Sequence, residues 1–346
     1  MAGIKHILVI RLSAMGDVAM TVPVLRALAL QHPEVKLTVL SRGFFKPFFE
    51  GIPNVSFYEA DVKGRHKGFG GLFKLYRELK KRDIDAVADL HNVLRSKIVT
   101  RLFALSGKKT ATTDKVRKEK KALTRAENKI FKPLTPIVQR HAETFRQLGF
   151  AIDVSVPVFP EKHILTQDVL AVTGAKTEKW IGIAPFAQHD GKVYPQDLMQ
   201  EVISLLAENK ANKIFLFGGG AKEIEVLNRF ANTISNVVVV AGKLTLTQEL
   251  QLISNLDVML SMDSGNAHMA AMLGVDTVTL WGATHPYAGF APFNQPEENL
   301  LVSDREKYPL LPTSIYGNKK VEGYEDVMRT IVPESVVKRI NQILNK

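Results

Sequence analysis

The residues of this 346-residue chain whose types and spacing could do chemistry gather in short polar turns. Met262-Asp263-Ser264-Gly265-Asn266-Ala267-His268 is the most informative of them. Asp263 or Ser264 is placed to cap a following helix, and Gly265 lets a ligand approach the backbone. Free N–H groups at such a turn bind phosphate, reinforced by the helix dipole. His268, four residues after Ser264, then projects near the same turn; otherwise this is an ordinary capped helix with a surface histidine. A serine-hydrolase elbow reads Gly-x-Ser-x-Gly, and that pattern is not here.

Gly218-Gly219-Gly220-Ala221-Lys222-Glu223 reads as a strand–turn–helix glycine loop. It has neither the Gly-x-Gly-x-x-Gly spacing of a dinucleotide site nor the Gly-x-x-x-x-Gly-Lys-[Ser/Thr] of a P-loop. Its Glu223 either accepts from ribose hydroxyls or simply favours a helix N-terminus. Lys192, in His189-Asp190-Gly191-Lys192-Val193-Tyr194-Pro195, either reaches a diphosphate as a point charge or is a solvated loop lysine. In the first half, Asp17 closes Ser13-Ala14-Met15-Gly16-Asp17. There it is a helix-mouth carboxylate or a general base facing a ligand. His91, in Asp89-Leu90-His91-Asn92, either orients a substrate or is a satisfied strand-end residue. His189, Asp190, His268 and His285 lack metal-ligand spacing such as His-x-x-x-His, so no metal is expected.

The elements that must position these turns follow from the hydrophobic rhythm. Strands are expected at 6–11, 36–40, 55–58 and 85–89, with helices at 18–31, 72–82 and 142–148. After an extended, proline-ended stretch the rhythm restarts. Strands follow at 180–184, 213–217, 236–240, 257–260 and 277–280, and helices at 196–208, 222–231, 248–253 and 266–273. Strands alternating with helices argue for parallel sheets covered on both faces. The expected organisation is a first α/β domain over 1–165, a linker over 166–177, a second α/β domain over 178–330 and a C-terminal helix within 331–346. Every polar turn named above follows a strand, and in parallel sheets ligands sit outside the carboxyl ends of strands. Two such sheets facing each other would line one cleft.

Composition bounds the partners. Hydrophobic residues make up 45% and charged residues 23%, as in an ordinary globular protein. There is no cysteine, hence no disulfide, thiolate metal site or cysteine nucleophile. No apolar run approaches the roughly 18–20 residues that span a bilayer, and no secretory signal is visible, so a cytoplasmic location is expected. The net charge is +11. Segment 101–132 holds eleven Lys/Arg against three Asp/Glu, a net +8. That run is a solvated face or mobile loop, or it docks an anionic surface. With only Phe103 and Phe131 in it, base stacking is poorly supported, and no nucleic-acid partner is expected.

Arg11-Leu12-Ser13-Ala14-Met15-Gly16-Asp17-Val18 with Thr21-Val22-Pro23 resembles the start of the ADP-heptose:lipopolysaccharide heptosyltransferases, glycosyltransferase family 9. Asp263-Ser264-Gly265 with His268, then Ala270-Ala271, Leu273-Gly274-Val275 and Gly282-x-Thr284, is similar to that family's second signature. The resemblance implies a GT-B fold, two Rossmann-like doubly wound parallel-sheet domains around a central cleft. It implies inverting, metal-independent transfer of a sugar, heptose from ADP-heptose, to a lipopolysaccharide inner-core or related glycan, with no cofactor. Asp17 then stands at the family's base position. Lys192, Asp263, Ser264, Gly265 and His268 match the donor diphosphate and sugar contacts, and Glu223 and Leu244 the ribose and adenine contacts. Ser13, Met15, Gly16, His91, Asn92 and Arg95 are expected on the acceptor side. Segment 101–132 would meet the anionic glycolipid acceptor and the inner face of the membrane, making the protein peripheral. Tyr194-Pro195 stands where the family more often has tryptophan before proline, and Asp89-Leu90-His91-Asn92 is distinctive. Two other readings remain at this point: a sugar-nucleotide epimerase of the same fold, and a basic nucleic-acid-binding protein.

Overall fold

The computed structural model describes residues 3–346. It divides into two α/β units: residues up to 115 with 135–159, and 116–134 with 160–346.

The first unit holds strands β1 (His6–Ile10), β2 (Lys36–Ser41), β3 (Val55–Glu59), β4 (Ala86–Asp89) and β5 (Lys109–Thr112). They form one parallel sheet in the order β3-β2-β1-β4-β5. β1 and β4 are covered on both faces, which is why Ile7–Ile10 and Ala86–Ala88 are unbroken apolar runs rather than alternating ones. Helices α1 (Met15–Ala19), α2 (Val22–Gln31), α3 (Gly68–Lys80) and α4 (Leu94–Leu105) follow the strands in turn. The single helix expected over 18–31 is two helices. Pro23 lies in the first turn of α2, where its missing N–H has no intrahelical role, so a new helix starts there. Leu8 and Ile10 of β1 pack with Leu72, Leu75 and Leu79 of α3 and Phe103 of α4.

The basic segment is ordered. Its first residues end α4, and Lys109–Thr112 form the edge strand β5. The chain then enters the second unit as α5 (Arg117–Thr124), buried through Leu123, and returns to the first as α6 (Ile137–Leu148). Lys129 fastens this excursion within the second unit. Its Nζ donates to the carbonyls of Leu123 (3.0 Å), Leu310 (2.8 Å) and Pro312 (2.8 Å). Burial, then the nearby Arg305, push its ammonium pKa down to about 8.

The rest of the second unit runs α7 (Gln167–Thr173), β6 (Lys179–Ala184), α8 (Gln196–Glu208), β7 (Asn212–Leu216), α9 (Ala221–Ala231), β8 (Val237–Val239), α10 (Leu246–Ser254), β9 (Val258–Met262), α11 (Gly265–Met272), β10 (Thr277–Trp281), β11 (Leu300–Val302) and α12 (Pro333–Leu344). The six strands are parallel in the order β11-β10-β9-β6-β7-β8. Ile181, Ile214 and Leu260 of the sheet pack with Val202 and Leu206 of α8 and Val336 and Ile340 of α12. Stretch 166–177, read from the sequence as a linker, carries α7. No helix among the described residues is long and apolar enough to cross a membrane.

One carboxylate in this unit makes stability depend on pH. Thr245 and Gln248 form a capping box at the start of α10, and burial pushes the next residue, Glu249, up to about 7. Below pH ~4.5 the group is protonated folded and unfolded, and its contribution is whole. As pH rises to about 7 the unfolded chain releases the proton while the fold holds it, so stability falls by about 2–3 kcal/mol. Glu249→Gln removes this slope. In urea unfolding the variant should match wild type near pH 4.5 and exceed it at pH 8; parallel curves at both pH values would refute the assignment.

Candidate active site

In each sheet the strand order reverses at one place: between β1 and β4 in the first unit, and between β9 and β6 in the second. Crevices for ligands open at such reversal points, outside the carboxyl ends of the strands. Most of the expected site residues gather at these two places, while Glu223 and Leu244 follow β7 and β8, further along the same edge. Ser13, Met15, Gly16 and Asp17 follow β1, while His91, Asn92 and Arg95 follow β4. Lys192 follows β6, and Asp263, Ser264, Gly265 and His268 follow β9.

In the first unit Asp17 occupies the third position of α1 and accepts from the Ala14 N–H through Oδ2 at 3.3 Å. The same oxygen is 2.5 Å from Nη2 of Arg11. Arg11 is buried, and its Nε and Nη1 donate to the carbonyls of Ser13 (3.0 Å) and Leu90 (2.7 Å). Across the reversal point, Asp89 is fully buried. Its Oδ1 accepts from the N–H groups of His91 (3.0 Å) and Asn92 (2.8 Å), and its Oδ2 from Ser96 Oγ (2.9 Å). Burial pushes the Asp89 carboxyl pKa up, against those three donors. Asn92 takes a left-handed backbone, φ 52°, a conformation asparagine tolerates better than most residues. Its side chain donates to Thr113 O at 2.9 Å. His91 receives the Leu12 N–H on Nδ1 at 3.4 Å. Burial first, then the charge of Arg11, push its imidazole down to about 3. His91 is therefore a neutral ring whose Nε2 carries the proton: a hydrogen-bond donor at neutral pH, not an acid–base group. Arg95 is exposed in the first turn of α4.

In the second unit neither Asp263 nor Ser264 caps α11. Asp263 Oδ2 instead meets Lys192 Nζ at 2.8 Å and accepts from Thr284 Oγ1 at 3.0 Å. Ser264 Oγ pairs with Ser261 Oγ at 3.0 Å and makes no cap bond. The first-turn N–H groups of α11 thus receive no side-chain cap from the motif that precedes them, as an anion-binding helix end requires. Lys192 also donates to the Asp263 carbonyl at 3.1 Å, so the ammonium is fixed beside that turn. The loop bearing Lys192 is tied down by Ala283 N–H donating to Gly191 O at 2.8 Å. A Cβ on Gly191 would lie 2.7 Å from Gly317 O, so only glycine fits there. His268 is buried within α11. Glu223 reaches back to the Gly219 N–H at 2.7 Å and orders the glycine turn after β7. Leu244, half-buried, lies in the turn between β8 and α10.

Arg11 and Thr284 are parts of these sites that reading by motif did not single out. Both stood inside quoted motifs, yet a buried charge beside a carboxylate becomes visible only when strand ends are brought together. His285, next to Thr284, is held neutral, pushed down to about 4 by burial and then by Arg305.

Two doubly wound parallel sheets in one chain, each with polar turns at its reversal point, place the protein in the GT-B class of α/β folds. Solved structures agree: a glycosyl transferase family 9 protein from Veillonella parvula superposes with a TM-score of 0.77, covering 100% of this chain and 98% of its own at 21% identity. An E. coli heptosyltransferase WaaC structure with ADP gives 0.70, covering 98% and 100% at 20% identity. The lipopolysaccharide core heptosyltransferase OpsX of Haemophilus influenzae is 25% identical across 84% of this chain and 82% of its own. The family model for glycosyltransferase family 9 (heptosyltransferase) matches residues 72–317. The chain belongs to glycosyltransferase family 9, the heptosyltransferases, and is a glycosyltransferase.

Proposed function

We propose that this protein transfers heptose from ADP-heptose to an anionic lipopolysaccharide inner-core acceptor with inversion at the anomeric carbon. One observation carries the reading. Along the carboxyl edge of the second sheet the turns run in the order Asp263–Gly265 (β9), Lys192 (β6), Gly218–Glu223 (β7) and Leu244 (β8). Three strand spacings of about 4.8 Å separate the first from the last, a span of ~14 Å that suits a nucleotide lying along the edge. Diphosphate and sugar would then rest on the uncapped end of α11 beside Lys192 and His268, with ribose and adenine toward Glu223 and Leu244. ADP bound to the E. coli WaaC relative is consistent with that donor.

Asp17, with Ser13, Met15, Gly16, His91, Asn92 and Arg95 around the first reversal point, serves the acceptor. Its carboxylate takes the proton of the attacking hydroxyl while the new C–O bond forms on the opposite face from the departing diphosphate. The electron pair of the breaking bond goes to the terminal phosphate oxygen of ADP. The α11 N–H groups and Lys192 stabilise that developing charge, so the residues described supply the electrostatics of departure. Among the described residues no group of three or more His, Asp and Glu side chains is placed to hold a metal ion.

The decisive experiment mixes the protein with ADP-heptose and a Kdo-lipid acceptor and follows both products. ADP release coupled to a heptosylated lipid supports the reading, whereas turnover of other nucleotide sugars in preference, or ADP release without any acceptor, refutes it. Exposed Arg117, Lys118, Lys121 and Arg125 on and beside α5 extend the proposal to the inner membrane face. At roughly 1 kcal/mol per basic residue, binding to anionic vesicles should be measurable at low salt and lost at high salt. Binding indifferent to salt would count against it.

A further inference from the structure

We infer that Arg11 is the positioning residue for the base, setting both the orientation of the Asp17 carboxylate and the pH range over which it accepts a proton. The inference rests on the assignment of Asp17 as that base. Arg11 is 7% exposed, and each of its three guanidinium nitrogens holds a different partner: Nε the Ser13 carbonyl at 3.0 Å, Nη1 the Leu90 carbonyl at 2.7 Å, Nη2 the Asp17 carboxylate at 2.5 Å. Ser13 lies just past β1 and Leu90 just past β4, so the planar fork is keyed to two neighbouring strand ends at the reversal point. Asp17 itself sits in a five-residue helix opening after a turn. Through Arg11 its carboxylate, which also accepts the Ala14 N–H, is tied to the sheet as well. A lysine, with one nitrogen on a flexible stem, cannot reproduce three bonds in one plane.

The second consequence is electrostatic. A cation in contact with a carboxylate favours its ionised form, so the base stays ready to accept a proton at lower pH. Other titratable groups surround the pair. His91 and Asp89 come from the β4 end, and His141 comes from α6. Burial, then Arg11, holds both histidines well below their usual range, and burial raises Asp89. Arg95 and Lys115 act on His91 in the same direction as Arg11. Removing the guanidinium takes away the charge that the Ser13 and Leu90 carbonyls hold against the Asp17 carboxylate.

The test is a pH profile of kcat and kcat/KM for heptosyl transfer, with ADP affinity measured separately, in wild type, Arg11→Met, Arg11→Lys and Asp17→Asn. Arg11→Met should lower kcat by about 10- to 100-fold, as a misplaced catalytic group does, and leave ADP affinity near wild type. Its acid limb should move up by about one pH unit or more. Arg11→Lys should return the limb toward wild type while kcat stays reduced, because charge is restored and the fork is not. A drop in kcat with an unmoved limb in Arg11→Met would mean that Arg11 only shapes the turn, and overturns the inference. If Arg11→Met does not fold, Arg11→Lys decides alone: reduced kcat with normal ADP binding supports the role, and full kcat overturns it. Asp17→Asn separates the two ideas. If it keeps turnover, the base assignment fails and Arg11 loses its object; if it is inactive while the Arg11 variants behave as wild type, only Arg11 is refuted.

Discussion

Asp17→Asn is expected to cut turnover by about two to four orders of magnitude, the usual loss when a positioned general base is removed. The substitution keeps the shape and removes the charge. The asparagine oxygen can still accept from the Ala14 N–H, as Asp17 Oδ2 does now. It cannot neutralise Arg11, whose Nη2 would face an amide instead of a carboxylate. The donor contacts proposed above all lie in the second unit, so calorimetric ADP affinity should be unaltered. The split between kcat and donor affinity is the signature to look for. Near-normal turnover in Asp17→Asn would transfer the proton to another acceptor and break the mechanism. His91 is a poor substitute, because its ring is held neutral down to about pH 3 and so binds a proton weakly.

Lys192→Ala should have the second-largest effect, and it should appear in two measurements at once. Lys192 and Asp263 form an ion pair at 2.8 Å with both side chains largely buried. Removing one member of a buried pair strands the other charge, at a cost of about 3 kcal/mol. In Lys192→Ala the Asp263 carboxylate keeps only the Thr284 hydroxyl as a described partner on Oδ2. An uncompensated carboxylate beside the end of α11 then repels the diphosphate that Lys192 would have attracted. ADP affinity should fall by about 10- to 100-fold, the scale of one lost charge-assisted hydrogen bond. The double variant Lys192→Met, Asp263→Leu discriminates between the two roles. It should regain stability, since a buried pair replaced by apolar residues of similar size is often neutral, but not ADP affinity. Recovery of both would show that the pair is structural only, and loss of neither in Lys192→Ala would remove the lysine from the donor site.

The elements that came through plainly in the residues are those whose signal is local. Ile7–Ile10, Ile181–Ala184 and Val258–Leu260 lie in buried central strands, and their unbroken apolar runs mark them. The glycine and aspartate turns that follow them mark the carboxyl edges. What escaped notice sits at sheet edges or mixes its signals. β5 is Lys-Thr-Ala-Thr, because an edge strand has little to bury. α4 exposes Leu94 and Leu105 while burying Ser96 and Thr100, so its periodicity is blurred. The basic run read as a solvated face or mobile loop, or as a docking surface for anions, and the three carbonyls around Lys129 Nζ fasten part of it in the second unit.

The alternation of strands and helices, the parallel character of both sheets, the family signatures and most of the residues worth testing were determined by the amino-acid sequence, because each depends on composition and spacing within a few turns of chain. Tertiary structure alone decided which strand lies beside which. It also decided that Asp263 binds Lys192 instead of capping α11, and that Arg11 holds Asp17 from the Leu90 and Ser13 carbonyls. Those contacts join residues up to 79 positions apart. Their energies depend on burial and on the exclusion of water around charges, which arise only when the sheet has assembled.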